Sequence, residues 1–215
     1  KTIARPQFRE LIFQLYFDPE SNRSYRGNPF LVDSELKNAE ARIEYYPGRD
    51  ERISLAGFYK DIKNPIETFV SFGDNGSRGG FANAPKARLY GAELEVQKYV
   101  DLSSQGGLFS TRRLVAIANY TYTKSELKIG ADDLVRVYPS EPRPATNFFQ
   151  DGAPLTGQSD HIANLQLGLE DTDSLSQQTI LVSYASKRVV GRGDGNLPDV
   201  IEKPGITVDF VARQG

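Results

Sequence analysis

Apolar and polar residues alternate along most of this chain. Between positions 161 and 171, Ala163, Leu165, Leu167 and Leu169 occupy every second position, and polar residues fill most of the others. Alternation with a period of two is typical of a β-strand with one apolar and one polar face, because successive side chains point to opposite sides. Helix-like spacing is scarce. The pattern predicts an all-β chain with strands at residues 1–9, 35–46, 51–62, 87–99, 112–125, 160–171, 177–188 and 203–213.

The segments between the predicted strands alternate strictly between short and long. Short, turn-like segments follow Tyr46, Val100 and Glu170. The long segments are rich in Pro, Gly, Asn, Asp and Arg, and they cover residues 10–34, 63–86, 126–159 and 189–202. In an antiparallel meander every second connection lies at the same end, so one end carries tight turns and the other carries large loops. Outer-membrane β-barrels show this asymmetry, whereas a soluble β-sandwich has no reason to sort its loops by end.

The predicted strands are also long, at about 10–14 residues, whereas strands of globular proteins usually have ~5–6. Tilted strands of ~9–11 residues cross a bilayer. Tyrosines stand near several strand ends, where an aromatic girdle at the membrane interface would place them because the ring is apolar and the hydroxyl is polar. These tyrosines are Tyr45, Tyr46, Tyr59, Tyr99 and Tyr122.

The polar faces of the strands suit two different architectures. Charged and amide side chains facing the water-filled lumen of a transmembrane barrel would produce this pattern, and so would the solvated face of a soluble antiparallel sheet. The loop asymmetry favours the barrel, and a soluble β-sandwich that serves as a binding or adhesion module is the alternative. On the barrel hypothesis the predicted lumen-lining residues are Glu40, Arg42, Glu44, Glu93, Glu95, Asn164, Gln166 and Glu170.

Composition narrows the function classes. With 26 basic and 28 acidic residues the formal net charge is −2, so bulk charge gives no reason to expect a nucleic-acid partner. There is no cysteine and there is one histidine, so we predict no metal site and no cofactor. The longest uninterrupted apolar run, Leu114–Ala118, is far shorter than the ~20 residues of a membrane-spanning helix. The sequence therefore excludes a helical membrane protein but does not exclude a transmembrane β-barrel.

The single histidine raises a catalytic hypothesis. His161 follows Ser159 and Asp160, and some outer-membrane barrels are lipases that use a His–Ser pair. Neighbours in sequence do not make a catalytic triad, which is defined by spatial geometry. We therefore expect His161 to be a polar residue at the membrane interface, we predict no catalytic residue, and we keep an outer-membrane hydrolase as a third hypothesis.

The predicted long loops carry several arginines. Arginine recognises carboxylate and phosphate groups through two parallel hydrogen bonds, so an anionic ligand such as an iron chelate suits these side chains. The candidate ligand-binding residues are Arg78, Arg136, Arg143 and Arg192.

Two Pro-containing segments predict turns at strand ends. In Gly27–Asn28–Pro29 the first two residues tolerate a positive φ and the proline fixes its own φ. Asn64–Pro65 follows a predicted strand in the same way, and its proline cannot continue the hydrogen-bonded ladder.

Seven stretches in order resemble the C-terminal part of the β-barrel of TonB-dependent outer-membrane receptors. They are "ARPQFREL", "RGNPFL", "ISLAGFYKDIKNPIE", "LYGAELEVQK", "LVAIANYTYTKSE", "LTGQSDHIANLQLGLED" and "PDVIEKPGITVDFVARQ". The resemblance implies an antiparallel meander that is part of a 22-stranded transmembrane β-barrel with short periplasmic turns and long extracellular loops. It also implies that residues 1–215 are a fragment of that single barrel domain, with about eight strands and without the plug domain, the TonB box and the last strands.

By the same resemblance the chain belongs to a receptor and transporter of the outer membrane rather than to an enzyme. Such receptors take up scarce solutes (siderophores, haem, cobalamin, carbohydrates or peptides) with energy from the inner membrane. The implied partners are the plug domain and the remaining barrel strands of the same protein, the TonB complex, a small-molecule or peptide ligand, and membrane lipid or lipopolysaccharide.

Overall fold

A computed structural model describes residues 1–19, 21–73, 76–193 and 197–214. The helical elements are a single helical turn, α1 (Phe8–Leu11), and three 3₁₀ turns at Ser103–Gln105, Gly107–Phe109 and Ala145–Asn147. In the described part of the chain, none of the helices has the length and apolar character needed to cross a membrane. The strands are β1 (Thr2–Ala4), β2 (Leu15–Asp18), β3 (Arg23–Arg26), β4 (Ser34–Tyr45), β5 (Arg52–Lys63), β6 (Ile66–Gly73), β7 (Gly76–Asn83), β8 (Lys86–Asp101), β9 (Arg112–Lys128), β10 (Leu134–Val135), β11 (Arg143–Pro144), β12 (His161–Asp171), β13 (Gln177–Ala185), β14 (Arg188–Gly193), β15 (Val200–Glu202) and β16 (Gly205–Arg213).

Eight strands form one antiparallel sheet, which we call the wall sheet. Its order is β1-β4-β5-β8-β9-β12-β13-β16, so each strand pairs with the wall strand that precedes it in the chain. The pairing is long and without slips: β8 and β9 stay in register from Lys86 opposite Lys128 to Asp101 opposite Arg113. The prediction of an eight-stranded antiparallel meander is confirmed. The first strand is shorter than predicted: it ends at Ala4, and α1 begins at Phe8.

The wall sheet has one apolar and one polar face. Across five neighbouring strands, Leu55, Leu94, Tyr120, Ala163 and Tyr184 lie in one row. The large side chains of this row are exposed, as are Ile53 and Leu165 of the next row. A soluble sandwich would bury such a face against a second sheet, so the β-sandwich alternative is wrong for this sheet. Exposed apolar rows on every strand are what a lipid-facing wall requires.

The long connections fold into a second sheet, which the sequence analysis did not predict. We name the connections L1 (5–33), L2 (64–85), L3 (129–160) and L4 (186–204). L1, L2 and L4 supply six strands in the order β15-β14-β6-β7-β3-β2, which we call the loop sheet. Two of its pairings, between β14 and β6 and between β3 and β7, are parallel and join different connections. The long connections therefore form a hydrogen-bonded layer at one end of the wall sheet.

L3 packs against the junction of the two sheets. Val135, Ala145 and Phe149 of L3 share a buried cluster with Phe69 of the loop sheet and Leu127 of the wall sheet. Leu127 lies on the polar side of the wall sheet, because it shares the parity of Asn119 along β9. L3 therefore folds inward, over the polar face. L3 and the loop sheet therefore bury their apolar side chains in the same core.

Both predicted turns are present. At Asn64–Pro65 the strand β5 has ended, and Asn64 has a φ of 54°. At the first turn the Leu31 N–H donates to Asn28 O at 3.2 Å, although neither Gly27 nor Asn28 has a positive φ. Gly27 instead allows close backbone approach: its N–H donates to Ile12 O at 2.7 Å, and a Cβ there would collide with the Ile12 backbone. Asn28 is buried, and its amide donates to the carbonyl oxygens of Phe81 and Arg136 at 3.0 and 2.8 Å, which ties L1 to L2 and L3.

Candidate functional site

A cavity of about 230 Å³ lies between L3 and the loop sheet. Among the residues that the structure describes, Arg26, Arg78 and Arg143 line it and no carboxylate does. Rings and hydroxyls complete the lining: Phe69, Ser71, Tyr138, Ser140 and Phe148. We call this space the arginine cavity. Positive charge next to aromatic surface is suited to an anionic group carried on a planar or apolar body.

Strand register brings the arginines together. Arg78 on β7 lies opposite Ser24, and Arg26 on β3 lies opposite Gly80, in the parallel β3–β7 pairing. Arg143 reaches the cavity from β11 in L3. A Cβ at Gly80 would collide with the Phe69 ring. The glycine therefore makes room for the aromatic wall of the cavity.

The four arginines predicted as ligand contacts do not all meet. Arg78 and Arg143 line the same cavity. Arg136 places its guanidinium 3.6 Å from the centre of the Phe30 ring, in a cation–π contact. Arg192 is buried and ion-paired elsewhere in the loop sheet. The sequence analysis missed Arg26, although it opens the "RGNPFL" stretch, because only the pairing of β3 with β7 places it beside Arg78.

Arg192 belongs to a buried ionic network that joins three of the long connections. Its Nε lies 3.5 Å from Glu67 Oε2, and its Nη1 donates to Asp199 Oδ2 at 2.9 Å. The Glu67 carboxylate also accepts from the Thr156 N–H, at 3.3 and 3.1 Å. The side chains of Arg192 and Glu67 are 3% and 2% exposed. The network therefore links L2, L3 and L4 in a water-poor setting.

Burial has the largest effect on the pKa of the Glu67 carboxyl group. Desolvation raises the pKa of Glu67 from 4.5 to about 7, against the opposing effects of the Arg192 charge and the Thr156 hydrogen bonds. The geometry supports this direction, because Arg192 Nε is at salt-bridge distance but, within the described residues, has no hydrogen-bond partner.

We expect the loop sheet to become easier to open as pH rises. The pKa of Glu67 is higher in the closed state than in an open one, so its contribution to stability is full below about pH 4.5 and is lost as pH rises through about 7. The size of the pKa shift limits this contribution to the opening free energy to about 3 kcal/mol. Amide hydrogen exchange of β6, corrected for intrinsic rates, measures the opening free energy. Its pH dependence should flatten in Glu67→Gln, and a pH-independent opening free energy in the unaltered chain would contradict the prediction.

His161 lies at the loop end of β12, between two tyrosines of the apolar face. Its Nδ1 shares a hydrogen bond of 2.7 Å with the Tyr120 hydroxyl, and the Tyr122 ring centre is 5.4 Å away. The Ser159 hydroxyl donates to Ser186 O at 2.8 Å. The two side chains of the hydrolase hypothesis thus bond to different partners and do not form a Ser–His pair with each other.

Tyrosines on the apolar face form a band near the loop end. Tyr59 and Tyr90 are opposite one another in the β5–β8 pairing, and Tyr122 lies one row along, opposite Ala92. Tyr45 lies on the same face at the turn end. Tyr99 does not belong to this girdle, contrary to the prediction, because its parity puts it on the polar face, where its ring stacks under Arg113 at 4.6 Å.

Ion pairs link the predicted lumen-lining residues across strands. Glu95 Oε2 accepts from Arg42 Nη2 at 2.9 Å and from Arg52 Nη2 at 3.0 Å. Arg42 Nε also pairs with Glu44 at 2.7 Å. Three adjacent strands, β4, β5 and β8, are thereby joined on one face, as predicted by their alternation.

The same face continues through β9 and β12. Asn164 donates to Asn119 at 2.8 Å, and Glu170 accepts from Arg113 at 2.8 Å. The strand period places the rest of the predicted set on this face as well: Glu40, Glu93 and Gln166. All eight predicted residues therefore share the polar face of the wall sheet.

Comparison with known families settles the kind of protein. The family described as "TonB dependent receptor-like, beta-barrel" matches residues 1–214. The chain belongs to this family. As a wall segment of a TonB-dependent receptor barrel it lies in the outer membrane, with L1–L4 on the extracellular side and the short turns on the periplasmic side. A search of curated proteins gave no match.

Solved TonB-dependent receptors share the fold. Two mutants of the ferric enterobactin receptor PfeA from Pseudomonas aeruginosa match with a TM-score of 0.52 each, at 18% and 19% identity. Each match covers 97% of this chain and 28% of the PfeA chain. The chain therefore spans just over a quarter of the length of these structures, and the likeness concerns the fold.

The orientation of the TonB-dependent receptor wall predicts a labelling pattern. A cysteine at Asp132, exposed in L3, should react with a membrane-impermeant maleimide on intact cells. A cysteine at Ser104, exposed in the short connection between β8 and β9, should react only after the outer membrane is opened. The reverse pattern would contradict the assignment of L3 to the cell exterior. The chain has no native cysteine that would add background.

Proposed function

We propose that this chain is part of the barrel wall of an energy-dependent receptor for a scarce solute, and that the arginine cavity contacts an anionic ligand. Residues 1–215 form part of a single barrel domain on this proposal. The polar face of the wall sheet lines the lumen, and the apolar face meets lipid. The protein is a receptor and transporter rather than an enzyme, and it works without a resident cofactor or metal ion.

The arginine cavity is the observation that carries the ligand proposal. Three arginines from three connections line it, and none of its described lining residues is a carboxylate. Its volume of about 230 Å³ is smaller than a typical small-molecule pocket of ~300–1,000 Å³. We therefore assign it to one anionic group and its adjoining ring or chain, with the rest of the ligand bound elsewhere in the receptor.

The remaining partners follow from the family. The plug domain and the other barrel strands of the same protein meet this segment through the lumen face and through the open edges of β1 and β16. The TonB complex supplies energy through the plug. Among solutes that such receptors carry, anionic iron chelates suit the arginine cavity best, and the name of the PfeA receptor offers ferric enterobactin as a first probe.

Ligand binding by variants of the cavity tests this proposal. The receptor that contains this chain is purified in detergent. A panel of anionic iron chelates, beginning with ferric enterobactin, is titrated against it, and cobalamin is the comparison ligand. Arg26→Gln and Arg78→Gln should each weaken binding of the accepted chelate by roughly 10-fold or more, because a hydrogen bond to a charged group contributes about 1.5–3 kcal/mol.

A matched control variant distinguishes the effect of the cavity arginines from the effect of positive charge elsewhere in the loops. Arg136→Gln removes one positive charge from L3 but not from the cavity lining, because Arg136 stacks on Phe30. It should change the Kd by less than about 2-fold, since exposed charges contribute little. Equal losses in Arg136→Gln and Arg78→Gln, or binding of cobalamin in preference to every anionic chelate, would overturn the assignment.

A further inference from the structure

A second cavity, of about 380 Å³, shares the Phe148 side chain with the arginine cavity. L3 contributes Thr146 and Asp151 to its lining, and L4 contributes Arg192 and Asp199. We call this space the L3–L4 cavity. Because Phe148 lines both cavities and is itself only half-buried, one extended molecule can reach the two of them along this ring.

Arg192 brings a buried hydrogen-bond donor to the L3–L4 cavity. Its side chain is 3% exposed, and its Nη1 donates to Asp199 Oδ2 at 2.9 Å. Its Nη2 is buried as well but, within the described residues, has no hydrogen-bond partner. Buried polar groups in native proteins are nearly always hydrogen-bonded, and an exception calls for a missing partner. The cavity beside Arg192 is therefore suited to an acceptor atom.

Strand register places this donor in one row with the arginine cavity. Arg192 lies opposite Phe69, Phe69 opposite Gly80, and Gly80 opposite Arg26. Residues directly opposite one another share a face of the sheet, and three strand spacings put the two arginine Cα atoms roughly 14 Å apart. Over the described ranges, four buried side-chain nitrogens lack a hydrogen-bond partner, and three of them belong to Arg26 and Arg192. The donors without partners thus concentrate at the two cavities.

Charge distinguishes the two cavities. The L3–L4 cavity is lined by one arginine, Arg192, and by two carboxylates, Asp151 and Asp199. Asp199 is ion-paired with Arg192, whereas an oxygen of Asp151 accepts only from the Ile129 backbone N–H, at 2.9 Å, among the hydrogen bonds of the described residues. The second carboxylate disfavours another anion in this cavity. A neutral amide fits, because it offers an acceptor oxygen to the guanidinium and an N–H to a carboxylate.

We propose that the L3–L4 cavity binds a secondary amide of the same ligand whose anionic group occupies the arginine cavity. The amide oxygen accepts from Arg192 Nη2, and the amide N–H donates to a carboxylate of the cavity. The part of the ligand that joins the two groups lies along Phe148. This inference rests on the proposed function, and it narrows the ligand to anionic molecules with an amide roughly 10–15 Å from the charged group.

A matched pair of chelates tests the amide assignment on the purified receptor. The probes are two tripodal ferric tris-catecholates, one with amide-linked arms and one with hydrocarbon-linked arms, which have the same metal, donor atoms and charge. The amide form should bind about 10-fold more tightly, because a hydrogen bond from a charged donor is among the stronger ones. Equal affinity for the two chelates would overturn this inference alone. Binding of neither would contradict the proposed function and this inference together.

Two variants locate the preference for the amide in the L3–L4 cavity. Thr146→Phe fills the cavity from an exposed position and leaves the ion pairs of Arg192 in place. Arg192→Lys keeps the positive charge beside Asp199 but has no Nη2. Each should reduce the affinity for the amide chelate to that for the hydrocarbon chelate, whose own affinity should change by less than about 2-fold.

A control variant adds the same ring elsewhere in L3. Ala131→Phe is at an exposed position outside the described lining of both cavities, so the preference for the amide should persist. If Ala131→Phe and Thr146→Phe lose the preference alike, or if Thr146→Phe retains it, the amide does not lie in the L3–L4 cavity. Thr146→Phe gives this result even if Arg192→Lys fails to fold.

Discussion

Leu165→Arg is expected to prevent stable assembly of the wall, whereas Gln166→Arg is expected to be tolerated. Leu165 lies in the middle of β12, opposite Ala118 and Val182 on the apolar face, and it is 38% exposed. An arginine on the lipid side near the bilayer midplane costs about 2–4 kcal/mol. Gln166 is its immediate neighbour in sequence but points to the polar face, where charged side chains are already paired.

Adjacent positions make this comparison sharp. Both substitutions add the same side chain to the same strand at nearly the same depth, so strand propensity and synthesis affect them alike. The yield of protease-resistant receptor in outer-membrane fractions, and the urea dependence of folding into lipid vesicles, are the two measurements. Similar losses for the two variants would contradict the assignment of the faces, and a greater loss for Gln166→Arg would reverse it.

The wall sheet was predictable from sequence because a local rule determines it. Side chains alternate along a strand regardless of what lies far away, and one-residue slips would move every apolar residue to the wrong face. Leu165 and Gln166 could therefore be assigned to opposite faces from the sequence alone. Tyr99 shows the limit of the method, since proximity to a strand end suggested the girdle but its parity puts it beside Arg113.

The loop sheet was not predictable because its strands are short and its pairings are non-local. β3 has four residues, and it pairs with β7, which is about 50 positions further along the chain. Glycines such as Gly79 and Gly80 weaken the alternation that would indicate a strand. Contacts of this kind depend on how separate connections meet above the wall. For this reason the sequence did not identify Arg26 as a cavity residue and did not indicate that Arg192 is buried.

The buried ionic network explains why the separate loops hold together as one layer. Glu67, Thr156 and Arg192 come from three different connections, and Arg192 also pairs with Asp199 within its own connection. A buried pair of this type contributes little compared with an apolar substitute, but loss of one member leaves an uncompensated charge. The network therefore affects which arrangement of the loops is adopted more than it adds to overall stability.

Arg192→Met should open the loop sheet while the wall sheet stays intact. The substitution leaves the Glu67 carboxylate buried without its cation, which costs about 3–5 kcal/mol. The effect should be larger at pH 8 than at pH 5.5, because Glu67, whose pKa of about 7 would rise further, escapes the cost by binding a proton. Hydrogen exchange of the β6 and β14 amides in detergent micelles measures the opening free energy, with β9 amides as the internal reference.

Two further variants identify the cause of that opening. Arg188→Met breaks another arginine–carboxylate pair on the same strand, with Glu202 at 2.6 Å, but both side chains are substantially exposed, so its cost should be small. Glu67→Gln combined with Arg192→Met removes the buried charge altogether and should recover part of the loss, which appears as a coupling energy in the double-mutant cycle. If Arg188→Met opens the loop sheet as much as Arg192→Met does, or if the double variant is the least stable of the three, the loops are held by something other than the charge balance at Glu67.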